Sequence, residues 1–183
     1  LFNSAYLEKI NDHVSIIFSP QFLLTNMGGV QNYFVSLDVA VDINHIFRAG
    51  LFFSIMPIAT SFPSSKSKTV SSKVDSIKLS NFYYLGDSLF ITPFSQYILH
   101  PNVGVDLGFG KTDYSLSDTA GNTVSSSNES FLIIIPTLEA ELNLINNLLL
   151  SFTVGYRFIE PIDGEVRGLS SIQLVLKAAF VLP

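Results

Sequence analysis

The chain has 183 residues, of which 48% are hydrophobic and only 14% are charged, with a mean hydropathy of +0.41. Soluble domains average about 25% charged residues, so this composition argues against a disordered chain and against an ordinary soluble enzyme. The net charge of −5 offers no basic surface to a nucleic acid. Cysteine is absent, which excludes disulfides, thiolate metal sites and cysteine nucleophiles. The composition therefore predicts a single domain that lies in a membrane or is covered by other chains in an oligomer.

The N-terminal segment lacks the basic and apolar regions of an export signal. We expect a mature chain in which residues 1–12 form a periplasmic tail.

Membrane-spanning helices are not predicted. The best candidate, residues 49–62, is about 14 residues long and contains Pro57, whereas a spanning helix needs about 20 apolar residues. Residues 131–138 are shorter and contain Pro136. The remaining structure that satisfies its backbone in lipid is a closed β-barrel.

Apolar residues instead recur at every second position in long segments. One segment runs from Tyr33 to Ile43, a second from Leu148 to Phe158 and a third from Ile172 to Phe180. Such alternation over about ten residues is typical of transmembrane strands. Taken in chain order, the pattern predicts an all-β, antiparallel up-and-down barrel with eight strands at 12–25, 31–44, 46–60, 88–99, 102–116, 129–145, 148–160 and 165–181.

The predicted connections alternate between short and long. Tight turns are expected at 44–45, 100–101 and 146–147, and longer connections at 26–30, 61–87, 117–128 and 161–164. Outer-membrane barrels have short periplasmic turns and longer extracellular loops, so both termini are expected in the periplasm. Residues 74–84 could add a strand, which would give nine or ten. The Ser- and Lys-rich segment 64–73 favours a long extracellular loop over 61–87.

Three segments carry a resemblance to a known family. Residues 89–110 (LFITPFSQYILHPNVGVDLGFG), 138–158 (LEAELNLINNLLLSFTVGYRF) and 172–180 (IQLVLKAAF) are similar to the small eight-stranded, OmpA/OmpX-like outer-membrane barrel domains of the Bacteroidota type. The resemblance implies a C-terminal signal for barrel assembly that includes Leu174, Leu176 and Phe180. The chain departs from that pattern because residues 181–183 follow the aromatic residue.

The barrel interior is expected to hold a network of charges. With the apolar residues facing outward, the inward-facing charged residues are Asp38, Asp42, Arg48, Asp106, Glu139, Glu141, Arg157, Arg167 and Lys177. Because the bore of eight strands is filled by side chains, these groups should form salt bridges, with Arg48 and Arg157 as the main partners of the carboxylates. The alternative is that Glu139 and Glu141 act as a general acid and base.

Smaller features are assigned structural roles. His13, His45 and His100 are expected in or beside tight turns at the periplasmic rim, where a shared metal is conceivable but an interfacial position is favoured. Glycines 104, 108 and 110 are expected at small inward positions. In the absence of tryptophan, outward-facing aromatic residues near the strand ends should form the interfacial girdles: Tyr33, Phe47, Tyr97, Tyr156, Phe158 and Phe180.

The sequence therefore predicts a non-enzymatic protein of the outer membrane without metal or cofactor. Its expected partners are membrane lipid, including lipopolysaccharide of the outer leaflet, but not nucleic acid. Two roles remain open: an accessory subunit of a larger secretion, assembly or uptake complex, and a stand-alone barrel that stabilises the envelope or binds ligands. A lipid-modifying enzyme and a narrow channel are less favoured.

Overall fold

The computed structural model describes residues 14–63, 74–95, 97–145, 147–162 and 169–182. These ranges form nine β-strands: β1 (Val14–Met27), β2 (Val30–Ile43), β3 (Phe47–Ile55), β4 (Thr60–Pro63), β5 (Ser76–Ile91), β6 (Leu99–Ser117), β7 (Thr123–Ile145), β8 (Leu148–Pro161) and β9 (Ser171–Leu182). Within the described ranges, no helix is long and apolar enough to cross a membrane.

The strands close into one antiparallel barrel. Their order is β3-β2-β1-β9-β8-β7-β6-β5, and β5 then pairs with β3. Strand β4 pairs with the first residues of β5, and β3 pairs with the later residues of β5 along the same edge. Strands β3 and β4 therefore share one position in the barrel. The break between them, at 56–59, contains Pro57, which cannot donate a ladder hydrogen bond. The predicted eight-stranded barrel is thus confirmed, and the predicted strand 46–60 is interrupted.

The fourth barrel strand was predicted at the wrong place. It lies at 76–91 rather than 88–99, so the predicted loop 61–87 contains most of β4 and most of β5. The pattern misleads here because Ile77 and Leu79 are fully buried and point inward, the reverse of the lipid-facing pattern. His100 and Pro101 lie in β6, and the preceding turn lies at 92–98, where Phe94 has a φ of 67°.

The connections at the two ends of the barrel differ less in length than the sequence predicted. We call the end where β1 starts and β9 finishes the terminal end, and the opposite end the loop end. The first connection at the loop end is a two-residue turn, Gly28–Gly29, with φ values of 59° and 86°, a geometry that favours glycine. A Cβ on Gly28 would also lie 2.5 Å from the ring of Phe62. The strict alternation of short and long connections was therefore wrong, since 92–98 is long and 28–29 is short.

The outer wall of the barrel follows the predicted alternation. Val39 has 43% of its surface exposed, whereas Ser36 on the same strand has 5%. The same alternation holds along β8 and β9. The six aromatic residues predicted for the girdles are all exposed, five of them on strands and Tyr97 in the turn at 92–98. The wall is therefore apolar outside, and the remaining side chains fill the interior.

Candidate functional site: the barrel interior

The inward-facing side chains form two main zones along the barrel axis, with a small apolar cluster of Ile17, Leu149 and Ala179 near the terminal end. The zone toward the terminal end, which we call the polar half, comprises Asp38, Asp42, Arg48, His100, Asn102, Asp106, Glu139, Glu141, Thr153 and Lys177. The zone toward the loop end, which we call the apolar plug, is built mainly from Leu23, Met27, Phe34, Phe52, Met56, Phe62, Ile77, Leu79, Phe82, Tyr84, Tyr114, Phe131, Ile133, Ile135, Ile159 and Leu169. The sequence predicted a polar lumen throughout, so the plug is a correction.

Arg48 crosses the bore in the polar half. It extends from β3, and its guanidinium donates two hydrogen bonds to the carboxylate of Glu141 on β7, at 3.0 Å and 3.2 Å. Its Nη1 also lies 3.7 Å from Glu139. Because β3 and β7 are not neighbours in the barrel, this two-point contact ties opposite walls together.

Glu139 is held from three sides. The Lys177 ammonium lies 2.6 Å from Oε2, the Thr153 hydroxyl donates to Oε2 at 2.8 Å, and the Asn102 amide donates to Oε1 at 2.8 Å. His100 Nε2 lies 3.1 Å from Oε1 of Glu141. All four oxygen atoms of the two glutamates therefore have a partner, which favours a structural network over a general acid–base pair.

Asp42 faces inward but pairs with a residue of the turn at 44–46. Its Oδ2 lies 2.8 Å from Nδ1 of His45, and this hydrogen bond raises the pKa of His45 above its usual value. The turn position predicted for His45 is confirmed, whereas His100 contributes to the polar half. His13 lies outside the described residues. Among the described residues, no cluster of three or more His, Cys, Asp or Glu side chains has the spacing of a metal site.

Aromatic rings dominate the apolar plug. Phe34 and Phe82 meet edge to face with centroids 5.5 Å apart, and Phe82 lies 4.8 Å from Phe131. Tyr84 packs against Phe34 at 5.8 Å. Gly110 permits this packing, since a Cβ there would lie 2.5 Å from the ring of Phe131. The apolar plug could have been predicted from the aromatic residues at inward positions of β2 and β5.

Arg157 lies in the apolar plug rather than in the polar half. Its guanidinium carbon is 4.8 Å from the centre of the Phe34 ring and 5.8 Å from that of Phe82. Nη2 donates to the hydroxyls of Thr25 at 3.1 Å and Ser171 at 3.4 Å. No carboxylate of the described residues lies within 4.0 Å of it. The prediction that Arg157 is a main partner of the carboxylates is therefore wrong for the described residues. Arg167 lies outside the described residues.

A small cavity of about 20 Å³ lies where the two zones meet. Asp38 and Asp106 line it from the polar half, and Tyr84 and Ile135 from the plug. Asp38 accepts a hydrogen bond from Ser88 at 3.4 Å. The volume is enough for about one water molecule.

The residues of the expected assembly signal lie on the outside of the last strand. Leu174, Leu176 and Phe180 have 40%, 62% and 46% of their surface exposed. They belong to β9, which pairs with both β8 and β1 and so closes the barrel.

No protein-family profile and no curated protein sequence matches the chain. Solved structures do match its fold. The N-terminal β-barrel domain of Pseudomonas aeruginosa OprF is 6% identical with a TM-score of 0.60, over 92% of this chain and 97% of that one. Neisserial surface protein A is 15% identical with a TM-score of 0.54, over 91% and 96%.

The attachment invasion locus protein Ail of Yersinia pestis, solved with the heparin analogue sucrose octasulfate, is 14% identical with a TM-score of 0.51, over 92% and 97%. Identities this low establish fold alone. The chain therefore has the closed, eight-stranded antiparallel fold of outer-membrane β-barrels.

Proposed function

We propose that this protein is an integral barrel of the outer membrane, with a closed interior and a structural or interaction role. The outward side chains carry the proposal: apolar residues such as Val39, Phe152 and Leu176 are exposed at alternate positions around the wall. Water would oppose so large an exposed apolar surface, whereas lipid favours it. We further propose that the terminal end faces the periplasm, because two of its three connections, between β2 and β3 and between β7 and β8, are as short as the periplasmic turns of known barrels.

The packed interior argues against a channel. Arg48 spans the polar half to reach Glu141, and aromatic rings fill the plug. The cavity between them has room for about one water molecule. The proposal assigns no catalytic role, since the two buried glutamates are engaged by Arg48, Lys177 and His100.

A closed barrel acts through its surface, so its partners are expected there. These are membrane lipid, including lipopolysaccharide in the outer leaflet, and other outer-membrane proteins if the chain is an accessory subunit of a larger complex. Extraction of native membranes in mild detergent tests the subunit role. Recovery of the barrel as a monomer would contradict it, and stoichiometric co-purification with another outer-membrane protein would support it.

The loop end favours a second candidate role, ligand binding by a stand-alone barrel. Strand β7 begins at Thr123, but its pairing with β8 begins only at Phe131, opposite Pro161. The preceding residues pair with β6, and Ser125, Ser126 and Ser127 are exposed. The solved Ail complex with sucrose octasulfate provides a first probe. Binding of sucrose octasulfate that is lost when 124–128 are replaced by alanines would support this role.

The membrane proposal has a direct test. The refolded protein should migrate differently in detergent gels before and after heating, because the closed barrel resists unfolding by detergent. Planar bilayers containing the protein should show no conductance steps. Identical migration would contradict the membrane barrel, and reproducible steps would contradict the closed interior.

A further inference from the structure

The polar half contains more acidic than basic side chains. Five carboxylates face two permanently cationic side chains: Asp38, Asp42, Asp106, Glu139 and Glu141 against Arg48 and Lys177. Burying a charge is costly unless an opposite charge or several hydrogen bonds compensate for it. The excess of acids therefore needs further compensation.

Two of the five carboxylates lack a direct ion pair. Glu139 and Glu141 have Lys177, Arg48 and His100 within 3.1 Å, and Asp42 has His45 at 2.8 Å. Neither Asp38 nor Asp106 has a basic nitrogen of the described residues within 4.0 Å. These are the two carboxylates that line the 20 Å³ cavity.

Neutral oxygen atoms complete the lining of this cavity. The Thr137 hydroxyl and the Gln173 carbonyl oxygen have no hydrogen-bond partner among the described residues. Their residues are 7% and 2% exposed, and both line the cavity. Buried polar atoms in folded proteins nearly always have a partner, and a carbonyl oxygen can only accept, so this pair of oxygens favours an occupant that takes lone pairs.

We propose that the cavity binds one calcium ion between Asp38 and Asp106. Two carboxylates balance a divalent charge, and hydroxyl and amide oxygens are ligands that Ca²⁺ accepts in flexible geometry. No histidine or cysteine lines the cavity, which disfavours zinc and other transition metals. The Lys177 ammonium also lines the cavity, but it lies 2.6 Å from Glu139 and 4.9 Å from the centre of the Phe90 ring.

The test uses the whole barrel, refolded in an uncharged detergent and freed of metals with a chelator. CaCl₂ should bind with a stoichiometry of one by isothermal titration calorimetry and should raise the denaturation temperature at constant ionic strength. Asp38→Asn and Asp106→Asn should each reduce the affinity at least tenfold. Asp113→Asn is the matched control, because Asp113 lies on β6 with Asp106 but is exposed, and it should retain wild-type binding.

Three results would overturn the proposal: no Ca²⁺ binding by the wild type, unchanged binding in both interior variants, or a stabilisation that NaCl reproduces. A barrel whose stability responds to pH but not to Ca²⁺ would indicate that protons compensate the two carboxylates instead. Folding of each variant is checked by its heat-shifted gel mobility. The wild-type titration decides the proposal even if one variant fails to fold.

Discussion

Two buried arginines show how differently the halves of this barrel interior are organised. Arg48 in the polar half has two hydrogen bonds to a carboxylate on the opposite wall. Arg157 in the apolar plug lies between aromatic rings and donates to two hydroxyls. Both side chains are almost completely buried. One residue type is therefore held by charge pairing in one zone and by aromatic packing in the other.

The largest expected effect is the loss of Arg48. Arg48→Met leaves Glu141 and Glu139 buried with fewer cations, and breaking a buried ion pair from one side costs about 3–5 kcal/mol. The unfolding free energy, measured by denaturant titration in phospholipid vesicles, should fall by that amount.

Arg157→Met is the matched comparison. Methionine suits the aromatic surroundings of Phe34 and Phe82, and no carboxylate of the described residues loses a partner. Its unfolding free energy should stay within about 1 kcal/mol of the wild type or rise. Equal losses in the two variants would remove the distinction between the halves.

The next largest loss of unfolding free energy is expected for a charge placed on the outer wall. Val39→Arg places a charge on the outward face at mid-strand, which costs about 2–4 kcal/mol at the bilayer midplane. Val124→Arg makes the same change at an outward residue of β7 beyond the end of β8, where the cost should be about 0–1 kcal/mol. The measurement is again the unfolding free energy in vesicles, and similar losses at both positions would contradict the assignment of residue 39 to lipid.

The smallest effect is a pH dependence at the terminal end. The hydrogen bond to Asp42 raises the pKa of His45 in the folded state, so its stabilisation is present below the unfolded pKa of about 6.5 and is lost as the pH rises through the folded pKa. Asn tolerates the positive φ of His45 and does not titrate. The difference in unfolding free energy between wild type and His45→Asn should therefore shrink as the pH rises, and a pH-independent difference would refute this role.

The sequence was informative about the outer wall because lipid contact depends only on alternation within one strand. The outward positions of β2, β8 and β9 follow from that period. The depth of an inward side chain depends instead on how neighbouring strands are staggered, which one sequence does not reveal. Arg157 was therefore predicted to pair with carboxylates, although none of the described ones lies within 4.0 Å of it, and His100 was placed in a turn although it faces Glu141.

The break at 56–59 was not predicted, and a strand near 76–91 was considered only as the alternative over 74–84. Beyond the expected membrane region, the apolar residues Ile77 and Leu79 point inward, so apolar positions there no longer mark the outer face of the strand. The Gly28–Gly29 turn was detectable in principle, since two adjacent glycines between alternating segments favour a two-residue hairpin turn.

Site-directed spin labelling along β2 tests whether the wall faces lipid and the interior is closed, and the absence of native cysteine makes single-cysteine variants straightforward. Labels at positions 35, 37, 39 and 41 in lipid vesicles should be relaxed by oxygen, which partitions into lipid. Labels at 36, 38 and 40 should be shielded from both oxygen and a water-soluble nickel complex. Relaxation by nickel at the even positions would contradict the closed interior, and the absence of any alternation would contradict the membrane barrel.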